Sequence, residues 1–106
     1  MFTVNPAPSF PLTLTLTGQG REQKLELVYR HKTRDEYLAL LEKVRSEEIT
    51  PSDVVMALVE SWKADAELCT DVLQKLAQDM PGADWAIITA FGDAQQVARK
   101  GNSLPR

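Results

Sequence analysis

The side chains able to do chemistry are few and scattered. His31 is the single histidine and Cys69 the single cysteine. A general base needs a positioned partner, and His31 stands between Arg30 and Lys32, which name none. It reads as a surface residue at a strand end. Cys69, within Ala66–Asp71, has no histidine near it in sequence and reads as a small apolar residue near a helix start. An enzymatic reading would need His31, Cys69 and an acidic residue to converge. One histidine and one cysteine supply too few ligands for zinc, and the carboxylates alone do not motivate a cation site. Gly18-x-Gly20 lacks the longer glycine pattern of a phosphate loop and suits a hairpin instead. Asp35-Glu36 and Glu47-Glu48 fall at helix starts or loops, where caps and helix dipoles explain them. The expectation is a protein without catalysis, cofactor or metal.

The elements that carry these residues are clearer. Phe10, Leu12, Leu14 and Leu16 alternate with Pro11, Thr13, Thr15 and Thr17, the period of a strand with one apolar face. After Gly18-Gln19-Gly20, Leu25, Leu27 and Tyr29 alternate with Lys24, Glu26, Val28 and Arg30. Two such runs around a glycine loop predict an antiparallel hairpin. Met1–Val4 is a candidate edge strand, ended by Asn5-Pro6-Ala7-Pro8. An isolated hairpin is marginal in water, so its leucine face must pack on something.

Helix signals follow. Thr33 and Glu36 form a capping box before the stripe Tyr37, Leu38, Leu40, Leu41 and Val44. Thr50-Pro51-Ser52-Asp53 opens a second helix, whose buried face is read as Val54, Val55, Leu58, Val59 and Trp62. Thr70-Asp71 opens a third, with Val72, Leu73, Leu76, Ala77 and Met80 on its stripe. Pro81-Gly82 stops it. A fourth is expected from about Gly82–Asp84 to Arg99, presenting Trp85, Ile88 and Phe91 and extending toward Ala94, Gln95 and Ala98. Arg99 and Lys100 would complement its negative end, and Gly101-Asn102 would close it. The predicted class is α+β: an N-terminal antiparallel hairpin or small sheet, then a bundle of about four helices. We expect one domain over residues 1–106, with a hairpin region at 1–31, a helical region at 33–100 and a frayed tail at 103–106.

Of the 106 residues, 43% are hydrophobic and 25% charged, with a net charge of −3, which fits an ordinary globular chain. Nucleic-acid binders present a basic face; here cations and anions are interspersed, so nucleic acid is not expected as a partner. No apolar run approaches the roughly 20 residues needed to span a bilayer. The N-terminus lacks the pattern of a secretory signal. With one unpaired cysteine, the expected location is cytoplasmic. The aromatics remain. Trp62 and Trp85 sit at helix ends, where a tryptophan more often closes a core than binds a ligand; both readings stay open. Phe91 reads as core. Any apolar face larger than so small a bundle can cover would be a docking groove or a self-association surface.

Most of the chain resembles a known family, the small tail assembly chaperones of long-tailed bacteriophages and prophages. The strand-to-helix junction Tyr29–Tyr37 is similar to theirs. Val59-Glu60-Ser61-Trp62-Lys63-Ala64-Asp65 resembles their Gly-Trp-x-x-Asp turn, with Ser61 in place of the glycine. Met80-Pro81-Gly82-Ala83 resembles their helix break, with methionine in place of an aromatic. Ile87-Ile88-x-x-Phe91 and Ala98-Arg99-Lys100-Gly101-Asn102 resemble their last helix and its end, with phenylalanine where tyrosine is common.

The resemblance implies a non-catalytic protein of the host cytoplasm. Its partners would be the tape measure protein and the major tail tube protein, with self-association possible. Trp62, Asp65, Pro81, Gly82, Trp85, Phe91, Arg99 and Asn102 are the residues it implies for partner binding or its scaffold. The alternative is a structural virion component such as a tail completion or head-tail connector protein.

Overall fold

The computed structural model describes residues 1–97. Its order is β1 (Ser9–Gly18), β2 (Arg21–Arg30), α1 (Arg34–Arg45), α2 (Pro51–Leu58), β3 (Val59–Lys63), α3 (Thr70–Asp79) and α4 (Ala83–Gln95). The strands form one antiparallel sheet in the order β1-β2-β3. The α+β class holds, with four helices and a sheet larger than a hairpin by one strand.

The hairpin forms as its alternation demands. Phe10 pairs with Tyr29, Leu12 with Leu27 and Leu14 with Leu25, so both apolar faces coincide. Gln19 (φ 53°) and Gly20 (φ 72°) both adopt positive φ, the turn whose twist matches that of paired strands. Gly18-x-Gly20 is thus a hairpin turn. Met1–Val4 forms no strand: Phe2 and Val4 stay solvent-exposed, because Pro6 and Pro8 interrupt the segment before it can join the ladder.

The helix caps match the sequence signals. Thr33 accepts from the Glu36 amide at 3.2 Å, and Glu36 accepts from the Thr33 amide at 2.8 Å. Those bonds hold the Glu36 carboxyl below its ordinary pKa, the backbone bond most strongly. Thr50 and Asp53 make the same reciprocal pair on α2, at 2.9 and 3.3 Å. On α1, Tyr37 is buried and Leu40, Leu41 and Val44 are half-buried, but Leu38 is exposed. Leu38 follows Tyr37 by one residue, which rotates it off the core-facing stripe.

The second helix is shorter than its stripe suggested. It ends at Leu58, and Val59–Lys63 becomes β3, so Trp62 stands in a strand rather than at a helix end. Two interactions favour the switch. Arg30 Nη1 donates to the carbonyls of Met56 (2.9 Å) and Val59 (3.0 Å), satisfying acceptors that an ending helix leaves open and placing a cation at its negative end. The chain then pairs with the free edge of β2. The register slips between Val28 and Tyr29, opposite Ser61 and Val59, which leaves Glu60 unpaired. This bulge keeps Val59 and Trp62, three residues apart, on the same face.

The core gathers Leu27, Tyr29, Val54, Val55, Leu58, Val59, Leu73, Ile87, Ile88 and Phe91. Phe91 is fully buried at its centre, with ring centroids 5.1 Å from Tyr37, 5.4 Å from Tyr29 and 6.0 Å from Phe10. Tyr29 and Tyr37 donate their hydroxyls to the carbonyls of Ile87 (2.7 Å) and Ile88 (3.1 Å). Buried phenols need such acceptors, and these two pin α4 to both the sheet and α1. Gly92 makes room for this arrangement: a Cβ there would meet the Tyr37 hydroxyl at 2.7 Å and its ring at 3.1 Å.

Helix α4 ends earlier than expected, at Gln95, with Gln96 already extended (ψ 131°). Beyond Phe91, Ala94 is exposed and Gln95 only half-buried, so little apolar burial rewards further turns. Gln95 instead donates to the Lys32 carbonyl at 2.7 Å. The expected helix end at Arg99–Asn102, Ala98 and the tail at 103–106 lie outside the described residues.

Two outcomes test this core. Gly92→Ala should lower stability by about 1–3 kcal/mol, the usual cost of overpacking, whereas the Gly→Ala change in an unconstrained helix is stabilising; a raised melting temperature would contradict the Tyr37 contact. Burial raises the pKa of both Tyr29 and Tyr37, with Tyr37 adding to the effect on Tyr29 and Asp93 adding to that on Tyr37. A phenol with a raised folded-state pKa contributes stability fully present below its unfolded value of about 10 and lost as pH rises above it. Thermal melts should therefore show stability falling from about pH 10 upward, and Tyr29→Phe should flatten that fall; an unchanged slope would contradict the assignment.

Candidate functional site

The turn from α3 to α4 is set by two residues. Pro81 and Gly82 occupy the central positions of a β-turn closed by the Ala83 amide donating to the Met80 carbonyl at 3.0 Å. Gly82 has φ 94° and ψ −8°, the second central position of a type II turn, which favours glycine. The hairpin tip reaches over this break: a Cβ on Gly18 would lie 2.7 Å from the Met80 methyl. A groove of about 260 Å³ opens there between Leu16, Gly18, Met80, Pro81 and Ala86.

Trp62 stands on the other side of Met80. Its indole N–H donates to the Ala66 carbonyl at 2.9 Å, which closes the turn through Lys63, Ala64 and Asp65 and fixes the ring plane. The ring is half-buried; one side joins the core and the other lines a groove of about 540 Å³. Leu25, Val72, Leu76 and Met80 give this groove its apolar floor, and Arg21, Lys24, Lys63 and Asp65 line it as well. None of those three cations ion-pairs with a described residue: the pairs present are Arg45 with Glu42 and Lys75 with Asp79, on helix surfaces.

The remaining sequence candidates separate. Asp65 is exposed on the Trp62 turn. Trp85 keeps 40% of its surface in water, because Ile87, Ile88 and Phe91 define the buried side of α4 and Trp85 falls off it. Phe91 is spent entirely on the core. Arg99 and Asn102 lie outside the described residues. Met80 therefore connects the Trp62 turn to the Pro81-Gly82 break, while Trp85 and Phe91 join neither groove. The cations around the Trp62 groove were not singled out from sequence; a ten-residue β2 set against a five-residue β3 is the feature that leaves them there, and β3 was hidden by its helix-like spacing.

His31 is exposed at the end of β2 and lines a third groove with Phe10, Lys32, Arg34 and Gln95. Cys69 is the half-buried N-cap of α3 and makes no capping bond through its side chain. The two share no groove and no hydrogen bond. Among the described residues no three histidine, cysteine or acidic side chains come together as metal ligands. No described helix is long and apolar enough to cross a membrane. The geometry offers apolar grooves with polar rims, which is the equipment of protein recognition.

Compared with known proteins, residues 1–102 match the family described as phage tail assembly chaperone. The chain belongs to that family. The match includes the hairpin, the Trp62 turn and the Pro81-Gly82 break alike, and it assigns this tail assembly chaperone a role in tail assembly through contact with phage tail proteins. No curated protein and no solved structure matches the chain significantly.

The two tryptophans are expected to behave differently. Trp62→Ala removes a half-buried ring and its bond to Ala66, and should cost about 2 kcal/mol, below the range for a fully buried ring. Trp85→Ala should cost less, about 1 kcal/mol, because 40% of that residue's surface already lies in water. Denaturant melts that reverse this order would contradict the placement of both rings.

Proposed function

We propose that this tail assembly chaperone is a non-enzymatic protein of the bacterial host cytoplasm that binds the tape measure protein and helps recruit tail tube subunits before polymerisation. The family match over residues 1–102 carries the reading. The apolar floor at Trp62, Val72, Leu76 and Met80 supports it physically. A long helical protein exposed before assembly needs its apolar surface covered, and several copies bound along one rod gain avidity from individually weak contacts. The excess of acidic residues, net −3, favours solubility of such copies packed side by side.

In this reading the chain works as a single domain. Trp62, Asp65, Pro81 and Gly82 shape or border the contact surface, Trp85 offers a second exposed aromatic, and Phe91 serves as scaffold. Arg99 and Asn102 are assigned to the same surface on the resemblance alone.

Co-expression is the test. The chain should keep the tape measure protein of its own phage or prophage soluble and co-purify with it. Unchanged solubility and no co-purification would refute the assignment. Mass spectrometry of purified particles should find the chain absent; stoichiometric copies would favour a structural tail or connector component instead.

A further inference from the structure

The two outer edges of the sheet are built differently. That of β3 is five residues long, is bent by a bulge and carries Glu60 and Lys63, all features that discourage a further strand from pairing. The outer edge of β1 is long and regular instead. It runs over Ser9–Gly18 in unbroken register with β2, and β1 is the one element among the described residues without a charged side chain. Thr13, Thr15 and Thr17 are exposed on one face, while Leu12, Leu14 and Leu16 on the other stay half-buried. Among the described residues no strand pairs with this side of β1. The direction of its backbone groups follows from the hairpin. The two-residue Gln19-Gly20 turn closes on the Gly18–Arg21 pair, which is hydrogen-bonded in such hairpins, and the pattern then alternates. The His31 amide donating to the Pro8 carbonyl at 2.9 Å keeps the same phase. Even residues of β1 therefore bond to β2, and odd residues turn their amides and carbonyls outward. Pro11 obeys this phase, because its missing amide hydrogen falls on the unpaired side.

The outward groups of Thr13, Thr15 and Thr17 are complementary to themselves. We propose that β1 pairs with β1 of a second copy, antiparallel about a twofold axis at Thr15, so that the two sheets become one. Thr15 then faces its own counterpart and Thr13 faces Thr17, each pair exchanging two main-chain bonds, and Pro11 falls outside the bonded set. Leu14 meets Leu16 on the face that carries the helices, where the groove between Leu16 and Ala86 leaves the edge accessible. Threonine–threonine pairs line the other face. Charge selects a second copy as the occupant. Two chains of net charge −3 repel where their acidic surfaces meet, yet this register sets uncharged residues against uncharged residues from Pro11 to Gln19. The next charges on the threonine face are Glu22, Lys24 and Glu26, across from Thr17, Thr15 and Thr13. They alternate in sign and stand three strand spacings from their counterparts, about 14 Å, which exceeds a Debye length in physiological salt. One isologous contact closes both free edges and leaves nothing for a third copy to extend. The proposal stands apart from the tape measure reading and needs no tail protein.

The test is analytical ultracentrifugation of the full chain alone, which should show a monomer–dimer equilibrium as concentration rises. Two double variants read the register, both on exposed residues that stand beside Glu26 and Glu22 of their own chain. Thr13→Lys with Thr17→Lys sets a lysine against a lysine at two places in the dimer and should weaken association at least about tenfold. Thr13→Lys with Thr17→Glu sets a lysine against a glutamate at the same two places and should associate at least as tightly as the parent. Thermal melts of the dilute monomers check that both variants are folded. In the unaltered chain, the amides of Thr13, Thr15 and Thr17 should exchange more slowly as concentration rises, so a variant that fails to fold still leaves the proposal open to refutation. A monomer at every concentration would overturn it. So would undiminished association of the lysine–lysine variant, equal weakening of both variants, or exchange at the three threonines that ignores concentration.

Discussion

Everything in this fold depends on how α4 is held. Phe91 fills the centre of the core, but burial alone would leave a helix free to slide. The hydroxyls of Tyr29 and Tyr37 remove that freedom by donating to consecutive carbonyls, Ile87 and Ile88. One phenol comes from the central strand and the other from α1, so three elements are fixed by two bonds. The Tyr37 ring closes onto Gly92 with no room for a methyl group between them. A mid-helix glycine, ordinarily a weakness, is here a consequence of that contact. With α4 held, its N-terminal end fixes the Pro81-Gly82 turn, and the hairpin tip rests on Met80 above it.

The second constraint is the competition for β2. Arg30 ends α2 by taking the Met56 and Val59 carbonyls, and the chain released by that ending becomes β3. The bulge at Glu60 lets Val59 and Trp62 both face inward, at the cost of one unpaired residue. Because β3 is short, it covers only part of the edge offered by β2. A tail assembly chaperone thereby keeps a half-buried tryptophan, an apolar floor and a bare strand edge in one place. Such an edge is normally blunted by charge against self-association, and the exposed Arg21, Glu22 and Lys24 provide that charge here.

Much of this was legible in the sequence. The hairpin, its facing leucines, both Thr-based caps and the Pro81-Gly82 break came from local signals whose physics is complete within a few residues. What was missed needed long-range information. Val54, Val55, Leu58, Val59 and Trp62 fit a helical stripe, and only the presence of Arg30 and an open β2 edge converts the last two into strand. The exposure of Leu38 and Trp85 and the early end of α4 likewise follow from which side of each helix met the core. Phe91, read as core, is wholly internal, while the cations around the groove become adjacent only once β3 has formed. The family resemblance, carried by the Trp62 turn and the helix break, proved a better guide to identity than any single residue was to a site.

Native-state amide hydrogen exchange along β2 tests the central claim most directly, because it reads both the anchored core and the open edge in one strand. Amides bonded to β1 at Leu25 and Leu27, and the Glu26 amide facing β3, should exchange slowly, near the limit set by global unfolding. In a hairpin closed by the two-residue Gln19-Gly20 turn, odd residues of β2 bond to β1 and even residues face the other way. The Glu22 and Lys24 amides therefore face the edge that β3 does not reach and should exchange far faster. Protection of Glu22 and Lys24 equal to that of Glu26 would mean that the edge is already occupied, and would contradict the sheet as described.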